Sequence, residues 1–127
     1  MATMELTQEN FDATITDNDI VIVDFWAPWC GPCRQFAPVF EQVSGKHEDV
    51  VFAKLNTDEQ TALAQQFQIR SIPTLMAFRE RVILYSNPGA MPAGQFDQLV
   101  NEIKALDMAA VHAEIASREA GAEPGSA

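Results

Sequence analysis

The sequence predicts a single-domain α/β fold in which helices pack on one mixed sheet. Apolar runs typical of buried strands alternate with helical stripes along the chain, which favours strands joined by helices. Two further short strands lie close enough in sequence to pair as an antiparallel hairpin, so the sheet should be mixed. The chain has 127 residues, of which 47% are hydrophobic, enough to fill one core without a second domain.

A short helix and a central strand are predicted near the beginning of the chain. Thr7 is the predicted N-cap, and Phe11 with Ile15 has the i, i+4 spacing of an amphipathic helix packed on a core. The run Ile20–Trp26 is too apolar and too rich in β-branched residues for a strand with one wet face. We therefore expect a central, buried strand that carries one carboxylate, Asp24.

A second helix should follow Cys30. Its apolar positions recur at i, i+3, i+4 and i+7, as in a helix that lies on a sheet, at Phe36, Val39, Phe40 and Val43. Cys30 and Cys33 fall in its first turn. Pro32 suits a helix start, whereas Pro38 removes an intrahelical hydrogen bond and should kink the axis. The helix should end near Gly45.

The middle of the chain predicts a second strand and a third helix. The apolar run Val50–Leu55 indicates another buried strand. Thr57 and Gln60 have the spacing of a capping box, so a helix carrying Leu63 and Phe67 should begin there. Strand and helix alternate again, as the α/β prediction requires.

Two short strands, 74–78 and 82–86, are close enough to form a hairpin. The residues between them include Glu80 and Arg81, and neither suits the positive φ angles that a two-residue hairpin loop needs. We therefore expect a longer or distorted hairpin.

A last helix and an extension complete the chain. Gly89 and Pro92 precede a helical stripe formed by Phe96, Leu99, Val100, Ile103 and Leu106. The domain should occupy residues 1–106, and residues 107–127 should be an extension that Val111 and Ile115 make partly helical. From Arg118 onward too few large apolar residues remain, so this end should be frayed or disordered.

The charge of the chain excludes some classes of partner. Its 8 Lys+Arg residues against 18 Asp+Glu residues give a formal charge of -10, which opposes nonspecific binding to nucleic acid and to anionic membranes. The first ten residues lack a basic stretch followed by an apolar run, and no stretch is long and apolar enough for a membrane span. We expect a cytoplasmic, monomeric protein.

The two cysteines predict thiol–disulfide exchange. A thiolate must attack a disulfide sulfur, and a second nearby thiol must displace the mixed disulfide, which a Cys-x-x-Cys turn permits. At a helix start Cys30 should ionise readily and be the exposed nucleophile, while Cys33 should resolve the intermediate. Structural cysteines or half a zinc site are the alternatives, but His47 and His112 do not form a ligand pair at zinc-site spacing.

The surroundings of these cysteines resemble the thioredoxin family. The likeness extends over about Leu6 to Leu106 and is carried by Trp26-Ala27-Pro28-Trp29-Cys30-Gly31-Pro32-Cys33, Ser71-Ile72-Pro73-Thr74, Val23-Asp24-Phe25, Ala53-Lys54-Leu55-Asn56 and Gly89. It implies the thioredoxin fold, a central mixed five-stranded sheet flanked by four helices. The dithiol would then lie just beyond the end of the central strand.

The resemblance implies roles for two charged residues near the dithiol. Asp24 would move protons to and from Cys33, which fits a carboxyl whose pKa is raised by burial. Lys54 would tune that carboxyl. The alternative is a structural buried acid paired with Lys54.

It also implies a shallow docking surface for an extended client. Pro73 would be a cis-proline whose bond turns the backbone of Ile72 outward, where a client segment could pair with it as an added strand. The implied docking residues are Trp29, Gly31, Pro32, Ile72, Pro73 and Gly89. Trp26 would either pack in the core or shape the site, and Pro38 would be structural.

The implied activity is protein-disulfide reduction, because Gly31-Pro32 resembles the reductive branch of the family. Thioredoxin reductase would supply electrons from NADPH, no cofactor would be bound, and the partners would be disulfide-containing client proteins. An oxidase or isomerase, and a binding or chaperone module with incidental redox activity, are the rival interpretations. Pro88 and Thr57 replace residues that are commonly aliphatic in this family, so we expect a changed choice of partner with the same chemistry.

Overall fold

A computed structural model describes residues 3–121 of the chain. It contains ten elements, which are β1 (Thr3–Glu5), α1 (Phe11–Asp17), β2 (Ile20–Trp26), α2 (Gly31–Ser44), β3 (Val51–Asn56), α3 (Thr61–Gln66), β4 (Thr74–Arg79), β5 (Val82–Pro88), α4 (Ala93–Ala105) and α5 (Met108–Gly121). The strands form one sheet in the order β1-β3-β2-β4-β5. β1, β3 and β2 are parallel and β4 and β5 are antiparallel to their neighbours, so the predicted mixed α/β sheet is confirmed.

Strand β2 lies at the centre of the sheet and is buried on both faces, as its apolar sequence predicts. Alternate residues face opposite sides, so Ile20 and Ile22 pack against α2 and α4 while Val21, Val23 and Phe25 enter the other core. The α2 stripe buries Phe36, Phe40 and Val43 against this sheet. By the same alternation Asp24 and Trp26 point to the face that α2 and α4 cover.

Two predicted helix starts are wrong because local side-chain bonds hold the preceding loops. Thr7 is not the N-cap of α1 but closes the turn before it. Its Oγ1 accepts the N–H of Asn10 at 3.3 Å, its N–H donates to Asn10 Oδ1 at 2.7 Å, and α1 begins after Asn10. Thr57 and Gln60 form no capping box, since Asn56 Oδ1 accepts the N–H groups of Asp58 and Glu59 and turns the chain. Helix α3 therefore begins at Thr61.

The sequence patterns did not predict one strand and one helix boundary. β1 has three residues, too few to show an apolar alternation, yet it pairs with β3 at the sheet edge. Residues 3–121 contain five helices, four of them within 1–106 and α5 in the extension that the sequence predicts to be partly helical. Helix α5 continues past Arg118, where fraying is predicted, to Gly121. Asp107 Oδ1 accepts the N–H of Ala110 at 3.2 Å and Met108 is buried, which together anchor the start of α5. Residues 122–127 lie outside the described part.

The β4–β5 hairpin has a two-residue loop and an irregular pairing, so of the two expected alternatives the longer loop is wrong and the distortion is confirmed. Glu80 and Arg81 adopt φ angles of 50° and 67°, and the pairing register shifts between Ala77 and Phe78. The N–H of Glu80 donates to the Asp19 carbonyl at 2.8 Å, which helps to hold this uncommon conformation.

Arg81→Gly should stabilise the protein by about 0.5–1 kcal/mol, because glycine adopts a positive φ without the cost that a Cβ carries there. Chemical denaturation of the oxidised protein measures the change. Arg81→Ala is the matched control, and it should give no gain because alanine keeps the Cβ. Equal stabilisation by both substitutions would show that the arginine side chain, and not the backbone angle, is unfavourable.

Candidate active site

Cys30 and Cys33 lie at the amino end of α2 and form a disulfide, with their Cα atoms 5.2 Å apart. Cys30 is the N-cap of the helix, and its Sγ accepts the backbone N–H of Cys33 at 3.2 Å. Pro32 occupies a first-turn position where its missing N–H is not needed. In the reduced protein the same N–H and the helix dipole favour a thiolate on Cys30, which supplies the nucleophile for exchange.

The two cysteines differ little in exposure, contrary to the prediction of an exposed Cys30. In this oxidised form Cys30 is 4% exposed and Cys33 is 2% exposed. The disulfide ties the Cys30 sulfur to Cys33, and the carbonyl oxygen of Ile72 lies 3.7 Å from it. The roles of the two sulfurs must therefore be distinguished by their electrostatic surroundings and not by accessible area.

Asp24 is fully buried on the face of the sheet that α2 covers, and α2 carries Cys33 in its first turn. Neither carboxyl oxygen has a hydrogen-bond partner. Burial raises the pKa of Asp24 to about 7, and the charge of Lys54 lowers it in part. A carboxyl with that pKa can both accept and return a proton near neutral pH.

Lys54 is the residue of β3 that pairs with Asp24 in the parallel register. Its Nζ lies over the ring of Trp26, 4.8 Å from the centroid, within cation–π range. The structure thus brings together the acid, the lysine and the tryptophan that the sequence singled out.

A second loop faces the dithiol. The Ile72–Pro73 peptide bond is cis, and the carbonyl of Pro73 accepts the N–H of Gly89 at 2.7 Å. Gly89 has a φ of +103°, which a residue with a Cβ rarely adopts. These bonds hold Ile72, Pro73 and Gly89 in one surface beside Cys30.

Trp29 is the most exposed large hydrophobic residue among those described, at 67%. Its indole N–H donates to Asp58 Oδ2 at 3.0 Å. An exposed aromatic ring held in place by a hydrogen bond is suited to contact with another protein.

Trp29→Ala should lower kcat/KM for a disulfide-bonded protein substrate by about tenfold, because it removes the exposed aromatic ring that we expect a client to contact. The free energy of unfolding should change by less than about 1 kcal/mol, since the side chain is largely in water. Ile83→Ala is the control, because Ile83 is 46% exposed and lies on β5 opposite Phe78 near the hairpin. If both variants lost kcat/KM equally, Trp29 would have no special contact with the client.

Some residues near the site were not assigned from the sequence. Asp58 orients Trp29, and Arg34 donates to the Pro28 carbonyl at 2.9 Å; these contacts arise from the loop folds and leave no local sequence pattern. Gly31 and Pro32 lie between the cysteines. Pro38 lies further along α2, exposed, in a helix that continues through it.

The zinc alternative gains no support from the described residues. Between residues 3 and 121 no three histidine, cysteine or acidic side chains are grouped to hold a metal ion. His47 bonds to Asp97 at 2.7 Å, and His112 bonds to Glu80 at 2.7 Å, both away from the cysteines in sequence.

Between residues 3 and 121, no helix has the length and hydropathy needed to cross a bilayer.

A family model and two individual proteins that resemble this chain all carry the name thioredoxin. The thioredoxin family model matches residues 2–105. "Putative thioredoxin 2" of Streptomyces coelicolor is 48% identical over 121 residues, which cover 95% of this chain and 90% of that protein. "Thioredoxin 1" of a Nostoc species is 41% identical over 103 residues, which cover 80% of this chain and 96% of that protein.

Two solved structures of thioredoxins have a fold similar to that of this chain. Thioredoxin from Plasmodium falciparum has 33% identity and a TM-score of 0.72, covering 79% of this chain and 97% of that one. A mutant thioredoxin from Halobacterium salinarum has 31% identity and a TM-score of 0.75, covering 83% of this chain and 92% of that one.

Proposed function

The chain belongs to the thioredoxin family, and we propose that it works as a reductase of disulfides in other proteins. Its Cys30–Cys33 pair is positioned for dithiol–disulfide exchange. As a member of this family, the chain is a protein-disulfide oxidoreductase. The observation that carries the proposed roles is the Cys33 N–H bond to Cys30 Sγ at the start of α2, because it favours a thiolate on one cysteine only. The proposed reductive direction rests on Gly31-Pro32, which resembles the reductive branch of the family.

In the first half-reaction the Cys30 thiolate attacks one sulfur of a client disulfide. A bond forms between Cys30 Sγ and that sulfur, and the client S–S bond breaks. The electron pair leaves with the second client sulfur, which takes a proton and becomes a thiol. The Cys33 N–H and the helix dipole stabilise the attacking thiolate.

In the second half-reaction the Cys33 thiol gives its proton to the Asp24 carboxylate and attacks Cys30 Sγ. The Cys30–Cys33 bond forms and the mixed disulfide breaks. The bound client sulfur leaves with the electron pair and is protonated. The client has gained two electrons and two protons, and the chain ends in the disulfide form that the structure has.

The client would dock as an extended segment beside the cis-proline loop. The carbonyl of Ile72 lies 3.7 Å from Cys30 Sγ, close enough for a client backbone that pairs with Ile72 to present its sulfur there. Trp29, Gly31, Pro32, Pro73 and Gly89 would complete the contact surface.

Regeneration requires a second partner, since each turnover leaves the cysteines oxidised. We expect thioredoxin reductase to return two electrons from NADPH through its own dithiol, in the cytoplasm. Residues 1–106 should carry the activity, with residues 107–127 as an appended segment.

The test is an assay that contains NADPH, thioredoxin reductase, a disulfide-bonded protein and this chain. NADPH oxidation and client thiols should both rise with the concentration of the chain, and the Cys30→Ser, Cys33→Ser double variant should give neither. Reduction no faster than background would reject the reductase. If the double variant kept a biological effect of the wild type, a redox-independent binding function would replace the proposal.

A further inference from the structure

Asp24, Lys54 and Trp26 lie together on one face of the sheet. Asp24 and Trp26 are two residues apart on β2, so their side chains point to the same face. Lys54 of β3 is paired with Asp24 and therefore shares that face. The lysine side chain can thus reach either the carboxyl or the indole.

The lysine ammonium is found over the indole. Lys54 Nζ is 4.8 Å from the centroid of the Trp26 ring. Neither oxygen of Asp24 has a hydrogen-bond partner, and none of the ion pairs among residues 3–121 joins Asp24 to Lys54. The π face of an indole attracts a cation without removing it fully from water, whereas a buried ion pair requires desolvation of both partners.

We propose that Trp26 is a positioning residue for the exchange reaction, because its indole face holds the ammonium of Lys54 off the carboxyl of Asp24. The inference rests on the proposed role of Asp24 as the group that exchanges a proton with Cys33. Trp26 touches neither client nor sulfur in this role and acts through Lys54.

The strands and helices packed around Asp24 contribute mainly apolar side chains, so Lys54 is the charged side chain to consider for the pKa of Asp24. Strand β4 places apolar Leu75 opposite Asp24, and α2 contributes Cys33 and Phe36 to this side of the sheet. The buried residues of α4 on this face are apolar, namely Phe96, Val100 and Ile103. Among the charged side chains, Lys54 is therefore the one whose position acts on the carboxyl of Asp24.

This position matters for proton transfer. An ammonium in direct contact would lower the pKa of Asp24 by about 1–3 units, and the carboxylate would then be a weaker base for the Cys33 proton. With the ammonium on the indole, burial outweighs the lowering by the charge of Lys54, and the pKa of Asp24 is about 7. Trp26 thereby matches the acid to work near neutral pH.

The test is a double-mutant cycle on the pKa of Asp24, read by NMR of its labelled carboxyl carbon in the oxidised protein. Trp26→Leu should lower this pKa by about one unit, because the freed ammonium moves toward the carboxyl. Trp26→Phe should restore most of the wild-type value, since it keeps an aromatic face. In a Lys54→Met background, Trp26→Leu should no longer shift the pKa.

An equal shift in the Lys54→Met background would overturn the inference, because the indole would then act by excluding water. A measurement on the wild type gives a second check that does not depend on the folding of any variant. The Lys54 side-chain methylene protons should be shifted upfield by the indole ring current, and unshifted resonances would contradict the geometry. Neither NMR readout needs turnover. A failed reductase assay would therefore reject the proposed function, whereas the NMR measurements alone decide whether Trp26 positions Lys54.

Discussion

Cys30→Ser should reduce the rate of client disulfide reduction to background, whereas Cys33→Ser should stop the reaction halfway with the client attached. The difference follows from the α2 amino end, where the Cys33 N–H favours a thiolate at position 30. Without Cys30 no thiolate is available for the first attack. Without Cys33 the mixed disulfide forms but no neighbouring thiol displaces it.

Intact-protein mass spectrometry after mixing each reduced variant with a disulfide-bonded protein measures this outcome. Cys33→Ser should gain the mass of the client, and a reductant should release it. The two variants are matched controls for each other, because each replaces one sulfur with oxygen at a residue that is almost fully buried. A client adduct on Cys33 in the Cys30→Ser variant, formed at the same rate, would show that the roles are not separated.

Asp24→Ala should stabilise the oxidised protein by up to about 4 kcal/mol more at pH 8 than near pH 4. Burial raises the pKa of Asp24 from 3.8 to about 7, and about three units at 1.36 kcal/mol each give this cost for a buried carboxylate. Below pH 3.8 the carboxyl is protonated in both folded and unfolded chains, so it contributes no cost. As the pH rises to about 7 the folded state holds the proton longer, and the wild type loses stability until the folded carboxyl ionises.

Denaturant unfolding of the wild type and the variant between pH 4 and pH 9 gives the difference curve. The difference in the free energy of unfolding should rise through this range and level off above pH 7. The cavity left by the smaller alanine side chain lowers the whole curve without changing its shape. Asp24→Asn should show the same rise from a lower baseline, because the buried amide lacks partners at a cost of about 1–3 kcal/mol. A difference independent of pH would contradict the raised pKa.

The central architecture follows from the sequence because its patterns are local and strong. The continuous apolar, β-branched run at β2 requires burial on both faces, and the spacing of Phe36, Phe40 and Val43 requires a helix on the sheet. The Cys-x-x-Cys spacing alone predicts exchange chemistry. The loop that faces it, with Pro73 and Gly89, was reached only through the family resemblance.

Features decided by tertiary contacts were not predictable in this way. The starts of α1 and α3 depend on which side chains bond to loop backbone, and β1 is too short to have a pattern. The burial of Cys30 depends on the Ile72 loop, forty-two positions away. Whether the ammonium of Lys54 contacts Asp24 or Trp26 likewise depends on side-chain geometry across β2 and β3, which no local sequence pattern encodes.

Brief alkylation of the reduced wild-type protein at pH 7, followed by peptide mass spectrometry, tests most directly whether Cys30 is the attacking thiolate. Only ionised thiols react quickly, so the label reports which sulfur the helix start activates. Our account predicts label on Cys30 with Cys33 unmodified. Label on Cys33, or equal label on both cysteines, would contradict it.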